Sequence, residues 1–207
     1  MTTSNEPGVF DGPEGSTPLG PDDIAGLKPS SIATRADLNA AEQENILAAT
    51  LWAHGRSWSR ATLLTSDALR AIHRRMFSDV WTWAGEWRKK DTNLGVDWWD
   101  VPPEVKNLCD DVLAQTVDLT NLPWPADEIA IRFHHRLVFV HPFTNGNGRH
   151  ARLAADLFAG VLGEPPFTWG RVGSMVDASA ARDAYLAALR VADSAYEYAP
   201  LLTLARS

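Results

Sequence analysis

A single cysteine, Cys109, leaves the chain no partner for an intrachain disulfide and no thiolate set for a structural zinc. It falls in a helical pattern, where a buried and inert thiol is expected, and a chain without disulfides suits a reducing compartment. Long apolar runs are also missing. None approaches the roughly 20 residues of a membrane span, and the N-terminus lacks a basic stretch followed by an apolar one. A cytoplasmic location without membrane contact is therefore expected. Positive charge is scarce: 19 Lys and Arg against 26 Asp and Glu give a net charge of −7. This balance offers no electrostatic footprint for general nucleic-acid binding.

What is present is ample apolar material, 45% of 207 residues, enough for one domain with its own core. Residues 1–33 are rich in Gly, Pro, Ser, Thr and Asp and read as a loose N-terminal arm, with the folded domain over 34–207. Thr34 followed by Asp37 starts a helix that Gly55 ends. Glu44, Leu47, Ala48 and Leu51 fall at helical spacing, so Glu44 is expected to head a partly apolar stripe and to need a partner. A second helix is expected over 66–77 with Ser66 as its cap and Leu69, Ile72, Met76 and Phe77 inward; His73 reads as packing or surface. The aromatic run Trp81-Thr82-Trp83-Ala84-Gly85-Glu86-Trp87 reads as a core anchor.

Lys89 to Trp99 breaks the helical pattern and reads as a short irregular hairpin. Pro102 and Pro103 start a helix reaching about Leu119, and another over 126–140 carries Ile129, Phe133, Leu137 and Val140 on one stripe. Within it His134 and His135 read as one packed and one exposed histidine, since no carboxylate stands at a zinc spacing. Beyond a break at Gly163-Glu164-Pro165-Pro166, a loop over 167–175 includes Trp169, and helices are expected over 177–192 and 197–206.

The densest chemistry lies in His141-Pro142-Phe143-Thr144-Asn145-Gly146-Asn147-Gly148-Arg149-His150-Ala151-Arg152. Pro142 ends the preceding helix, which predicts an extended and exposed His141 at a loop mouth. Gly146 and Gly148 permit a tight turn, and a helix beginning near 148 aims unpaired amides at one point, an arrangement that binds phosphate. Arg149, Arg152 and Asp156 share one helix face. A histidine beside an amide nest and two arginines suits transfer of a phosphate-bearing group to a hydroxyl.

The segment resembles the signature of the Fic (Fic/DOC) family, H-P-F-x-(D/E)-G-N-G-R-x-x-R, matching at every fixed position except Asn145. The resemblance implies a mainly α, Fic-type helical bundle with one short β-hairpin flap, covering the chain from about residue 34. Within the family the sequence is most similar to a subfamily labelled mobile mystery protein B, which keeps the Trp-Ala-Gly stretch and an Asn in the motif. The implied activity is transfer of AMP from ATP, with magnesium, to a Ser, Thr or Tyr hydroxyl of an unidentified target protein or of the chain itself. His141 would then be the catalytic base, with Gly146, Asn147, Gly148, Arg149 and Arg152 on the nucleotide's phosphates and Asn145 at the metal. Asn145 adds no negative charge, so metal affinity should fall.

Two further features follow from the resemblance. The family's inhibitory helix ends in Glu-Gly or Glu-Asn, and Glu44-Asn45 keeps that ending without the preceding Ser or Thr; Glu44 in the 34–54 helix is then expected to bond Arg152. Lys90, Asp91, Thr92, Asn93 and Leu94 would form the tip of a flap that pairs with the target's main chain. The alternatives are transfer of another nucleotide or of phosphate on the same nest, and a weakly active or inactive nucleotide-binding regulator or toxin–antitoxin component. Gly148 argues against the Doc-type kinase pattern, which has a lysine there.

Overall fold

The structure, a computed structural model, describes residues 19–170 and 178–207. Of the expected loose arm, residues 1–18 lie outside the described residues. The remainder packs on the domain: α1 (Pro21–Ile24) presents Asp23 to Lys90 at 2.8 Å, Leu27 bridges Trp81, and Ile32 enters the core.

Capping chemistry sets the next helix starts. Thr34 Oγ1 accepts from the Asp37 N–H at 3.2 Å while Asp37 Oδ2 accepts from the Thr34 N–H at 2.9 Å, and this reciprocal box opens α2 (Arg35–His54). A single helical turn, α3 (Arg60–Leu63), follows. Thr65, not Ser66, caps α4 (Ser66–Phe77), because its hydroxyl lies three residues before the Ala68 N–H that it accepts from at 3.0 Å. Next come α5 (Val101–Gln115), shorter than expected, and α6 (Ala126–Val140) and α7 (Asn147–Val161), which pack along one another. Helices α8 (Ala178–Ala195) and α9 (Ala199–Arg206) close the chain.

The core is centred on α6, whose Ile129, Phe133, Leu137 and Val140 are all buried. Phe133 meets Phe158 of α7 edge to face at 5.4 Å between ring centroids, and Ala151, Ala154 and Ala155 let the α7 backbone approach closely. Each large apolar side chain buried here stabilises the fold by about 1.5–3 kcal/mol. Cys109 is buried as expected, and burial pushes its thiol up to about 12. His134 and His135 are both buried, contrary to the expected split, because Tyr185 of α8 and Asp193 give each imidazole a partner, at 3.0 and 2.8 Å.

Two expectations fail in instructive ways. The period of α2 is right but its phase is not: the buried face is Leu38, Glu42, Asn45, Ala49 and Ala53, while Leu47 and Leu51 are 61% and 69% exposed. Small alanines, rather than the larger leucines, face α4 and α7 because they let the helices approach closely. The flap over 89–99 is not a β-hairpin either. Among the described residues there is no strand, and the loop is held by bonds from the Arg88 side chain to the carbonyls of Lys90 and Val96.

Candidate active site

His141 ends α6 in the left-handed conformation, φ 53° and ψ 59°, and is 7% exposed, where an extended and exposed residue was expected. Pro142 does stop the helix, but the chain reverses at the histidine itself. A non-glycine residue in this region costs on the order of 1–3 kcal/mol and persists only where neighbours hold it. Here the holder is Arg88, 2% exposed, whose Nε donates to the His141 carbonyl at 2.7 Å while its backbone N–H donates to Pro142 O at 3.0 Å. Nδ1 of His141 lies 3.3 Å from the Val138 carbonyl. A carbonyl can only accept, so Nδ1 carries the proton and the basic lone pair is on Nε2. Burial pulls this imidazole down to about 4, so it is neutral near pH 7 and able to take a proton.

The same arginine shapes the flap. Its Nη1 donates to Lys90 O at 3.0 Å and its Nη2 donates to Val96 O, tying both limbs of the loop to one buried cation. These bonds take the place of cross-strand pairing, which is why no hairpin forms. Asp91 lies 3.6 Å from Arg88 Nη1 and also accepts from the Trp98 N–H at 2.9 Å. Lys90, Asp91, Asn93 and Leu94 are exposed and Thr92 half-buried, its hydroxyl donating to Leu94 O at 2.6 Å. Gly95, at φ 102°, rests against the histidine: a Cβ there would stand 2.6 Å from His141 Cβ.

After His141 the chain makes a clip and then a helix start. Asn147 Oδ1 accepts from the Phe143 N–H at 2.9 Å and its Nδ2 donates to Phe143 O at 2.8 Å, so this side chain closes the turn internally and leaves only its main-chain N–H to a ligand. Gly146, at φ 78°, has no room for a side chain, since a Cβ would lie 2.5 Å from the Phe77 ring. The first intrahelical bond of α7 runs from the His150 N–H to Gly146 O at 2.9 Å. The N-cap residue, Gly146, has no side chain to offer this start, so the first-turn amides of Asn147, Gly148 and Arg149 stand at a helix N-terminus of the kind that attracts anions.

Arg149 is engaged. Its Nη1 donates to Glu42 Oε2 at 2.7 Å, and Oε1 of the same buried carboxylate accepts from Trp81 Nε1 at 2.7 Å. The acid that reaches the motif from α2 is thus Glu42. Glu44, expected at Arg152, is exposed, because two residues of helix turn it about 200° away from the Glu42 face. Asn45 is structural: its amide bonds Arg75 O at 3.0 Å and the Asp79 side chain at 3.2 Å, fixing α2 to the end of α4. Arg152 lies over the Tyr185 ring, 5.2 Å from the centroid. Asp156, placed with the arginines by sequence, accepts from Trp169 Nε1 at 2.8 Å. Of the loop over 167–175, residues 171–175 lie outside the described residues.

Asn145 Oδ1 accepts from the Gly146 N–H at 2.7 Å. No group of three or more His, Cys, Asp or Glu among the described residues could hold a metal ion. Asn145 Oδ1 is a neutral oxygen, so a magnesium ion held there would draw most of its ligands from outside the chain. Sequence reasoning missed Glu42, Arg88 and the role of Trp81. The available signal was Glu42 lying four residues after Leu38 and seven before Ala49, on the face that small residues allow to pack.

Residues 63–159 match the family described as Fic/DOC. Over 85 residues the chain is 31% identical to a probable protein adenylyltransferase, y4lH, of Sinorhizobium fredii, covering 39% of this chain and 44% of that one. It is 34% identical over 105 residues to protein adenylyltransferase fic-1 of Caenorhabditis elegans, covering 50% of this chain and 20% of that one. The matched stretches thus span less than half the length of these relatives. Among solved structures, Fic-1 of C. elegans superposes with a TM-score of 0.62 at 26% identity, over 88% of this chain and 50% of that one. BepC of Bartonella tribocorum, solved with bound AMPPNP, gives 0.65 at 15% identity, over 89% and 95%, a likeness of fold.

Proposed function

We propose that this chain, which contains a Fic/DOC family domain, transfers AMP from ATP to a Ser, Thr or Tyr hydroxyl of a protein. The observation that carries the reading is the pairing of a histidine whose basic lone pair is set on Nε2 with a glycine-capped helix start six residues on, flanked by Arg149 and Arg152. Its likeness to protein adenylyltransferase fic-1 and to the probable protein adenylyltransferase y4lH supports it. The Asn145 variant of the motif and the Trp83-Ala84-Gly85 stretch support membership of the mobile mystery protein B subfamily.

The chemistry runs as an in-line displacement. His141 Nε2 takes the hydroxyl proton as that oxygen bonds the α-phosphorus, and the bond from that phosphorus to the bridging oxygen breaks to release pyrophosphate. The amides of Asn147, Gly148 and Arg149 stabilise the charge on the phosphates, and Arg152 positions the terminal one. Magnesium, when bound with the nucleotide, offsets part of the phosphate charge. Flap residues Lys90 to Leu94 would align the target's main chain, and self-modification is one form of the reaction. Glu42 competes with phosphate for Arg149 and so restrains the enzyme, the inhibitory role that sequence placed on Glu44.

A second reading has its own observations. A neutral Asn145 and an Arg149 already paired with Glu42 favour a weakly active nucleotide-binding regulator, or a toxin–antitoxin component. The deciding experiment incubates the full chain with magnesium and ATP labelled at the α- or the γ-phosphate, on cell-lysate proteins. Label from the α position, lost in His141→Ala, establishes nucleotidyl transfer. Label from the γ position means a kinase. Retained ATP binding without transfer, with other nucleotides and manganese also tried, selects the regulator.

A further inference from the structure

His73 of α4 is fully buried and touches the motif turn without belonging to it. Its Nδ1 lies 2.9 Å from the Gly85 N–H and its Nε2 lies 3.0 Å from the Asn145 carbonyl. One backbone partner can only donate and the other can only accept. The ring is therefore neutral, with its proton on Nε2, and no other protonation state satisfies both bonds. Burial, which pulls this imidazole well below its ordinary value, agrees. Phe143 stacks on the ring with centroids 3.7 Å apart and planes 15° from parallel, which fixes the direction of both nitrogens.

The bond acts on one peptide unit. His73 holds the carbonyl of Asn145, and the N–H across that same peptide bond, on Gly146, is held by Asn145 Oδ1 at 2.7 Å. The plane of that peptide determines where the Asn145 side chain points and how Gly146, at φ 78°, enters α7. A glycine on one side makes the unit prone to flip, and that glycine, as N-cap of α7, has no side chain to cap the helix start that follows. The His73 bond is a restraint on this unit that comes from outside the turn.

We infer that His73 is a positioning residue for the phosphate-binding turn, acting through its Nε2–H on the Asn145 carbonyl. The inference deepens the nucleotide-transfer reading and, for its effect on nucleotide, rests on it. It also makes the Gly85 turn part of the same assembly, since the other ring nitrogen is anchored there.

Two substitutions separate the two nitrogens. His73→Gln places an amide N–H near the position of Nε2 and keeps the bond to Asn145; His73→Asn places an amide oxygen near Nδ1 and keeps only the bond to Gly85. Both lose the stacking on Phe143, so both are less stable, and a merely structural histidine would leave the affinity of the two folded variants alike. The full chain, labelled with 15N-glycine, is titrated with magnesium and ATP by calorimetry, and the Gly146 and Gly148 amide resonances are recorded without ligand. The expected result is that His73→Asn moves the Gly146 resonance and weakens ATP binding about tenfold, the worth of one hydrogen bond, while His73→Gln stays within about threefold of wild type. Equal behaviour of the two variants, or a larger loss in His73→Gln, overturns the inference. If wild type binds no ATP but only His73→Asn shifts Gly146, the nucleotide reading fails while the role of His73 in the turn stands.

Discussion

Replacing Glu42 by Gln separates the two tasks of that carboxylate. One oxygen accepts from the Trp81 indole and the other from Arg149, each at 2.7 Å, in a side chain only 5% exposed. Glutamine has one acceptor, so if it serves Trp81 its amide hydrogens face the guanidinium, and Arg149 must leave. Removing one partner of a fully buried pair costs about 3–5 kcal/mol. Arg149 is 34% exposed at its side chain and can turn to water, which brings the expected cost nearer 2 kcal/mol, or a fall of about 4–8 °C in Tm for a chain of this size. The released guanidinium is then available to phosphate. A hydrogen bond to a charged group contributes about 1.5–3 kcal/mol, so ATP should bind about tenfold tighter or more despite the lower stability. Calorimetric titration of wild type and Glu42→Gln with magnesium and ATP, alongside thermal unfolding, measures both quantities. Lower stability with unchanged or weaker ATP affinity would refute the competition argument and make Glu42 a support for Arg149 instead.

Acid should unfold the protein through its histidines. His134, His141 and His150 are pulled by burial to about 3, 4 and 4, below the unfolded value of 6.5. Stability from these groups is present above pH 6.5 and is lost as pH falls through the folded values, at up to about 1.4 kcal/mol per pH unit for each; urea unfolding at pH 7 and 5 tests this, and a flat profile contradicts it. Gly146→Ala should cost at least about 1–2 kcal/mol from its positive φ alone, with the clash against Phe77 added, and should weaken phosphate binding; unchanged Tm would show that the turn relaxes freely. Asn145→Asp keeps an acceptor for the Gly146 N–H and adds a charge, so half-saturation of ATP binding by magnesium should drop about tenfold, or ~1.4 kcal/mol. An unaltered magnesium requirement would remove residue 145 from the metal.

Much of the helical frame was legible because its signals are local. The Thr34 and Asp37 box, the stripe from Ile129 to Val140 and the break at Pro142 each depend on residues within a few positions of one another. The phase of α2 was not legible in the same way. Its exposed face carries Leu47 and Leu51 while its buried face carries Glu42, Asn45 and two alanines, so a rule that ranks faces by apolar bulk chooses the wrong one. What inverts the ranking is the fit against α4 and α7, which no window along α2 contains.

The same distance in sequence hides the supports of the site. Glu42 meets Arg149 across 107 residues, His73 meets Asn145 across 72, and Arg88 meets His141 across 53. In the last two pairs the partner is a main-chain carbonyl, a group that every residue possesses and that leaves no trace in residue type. A side chain bonded to side chains can be sought by matching opposite charges; one bonded to backbone cannot. His73, Arg88 and Glu42 nevertheless share a property, burial of a polar group inside an otherwise apolar frame. Such a group costs on the order of 1–3 kcal/mol if left unpaired. Each of these burials therefore implies a bond to whatever lies opposite, and in all three cases what lies opposite is the motif running from His141 to Arg149.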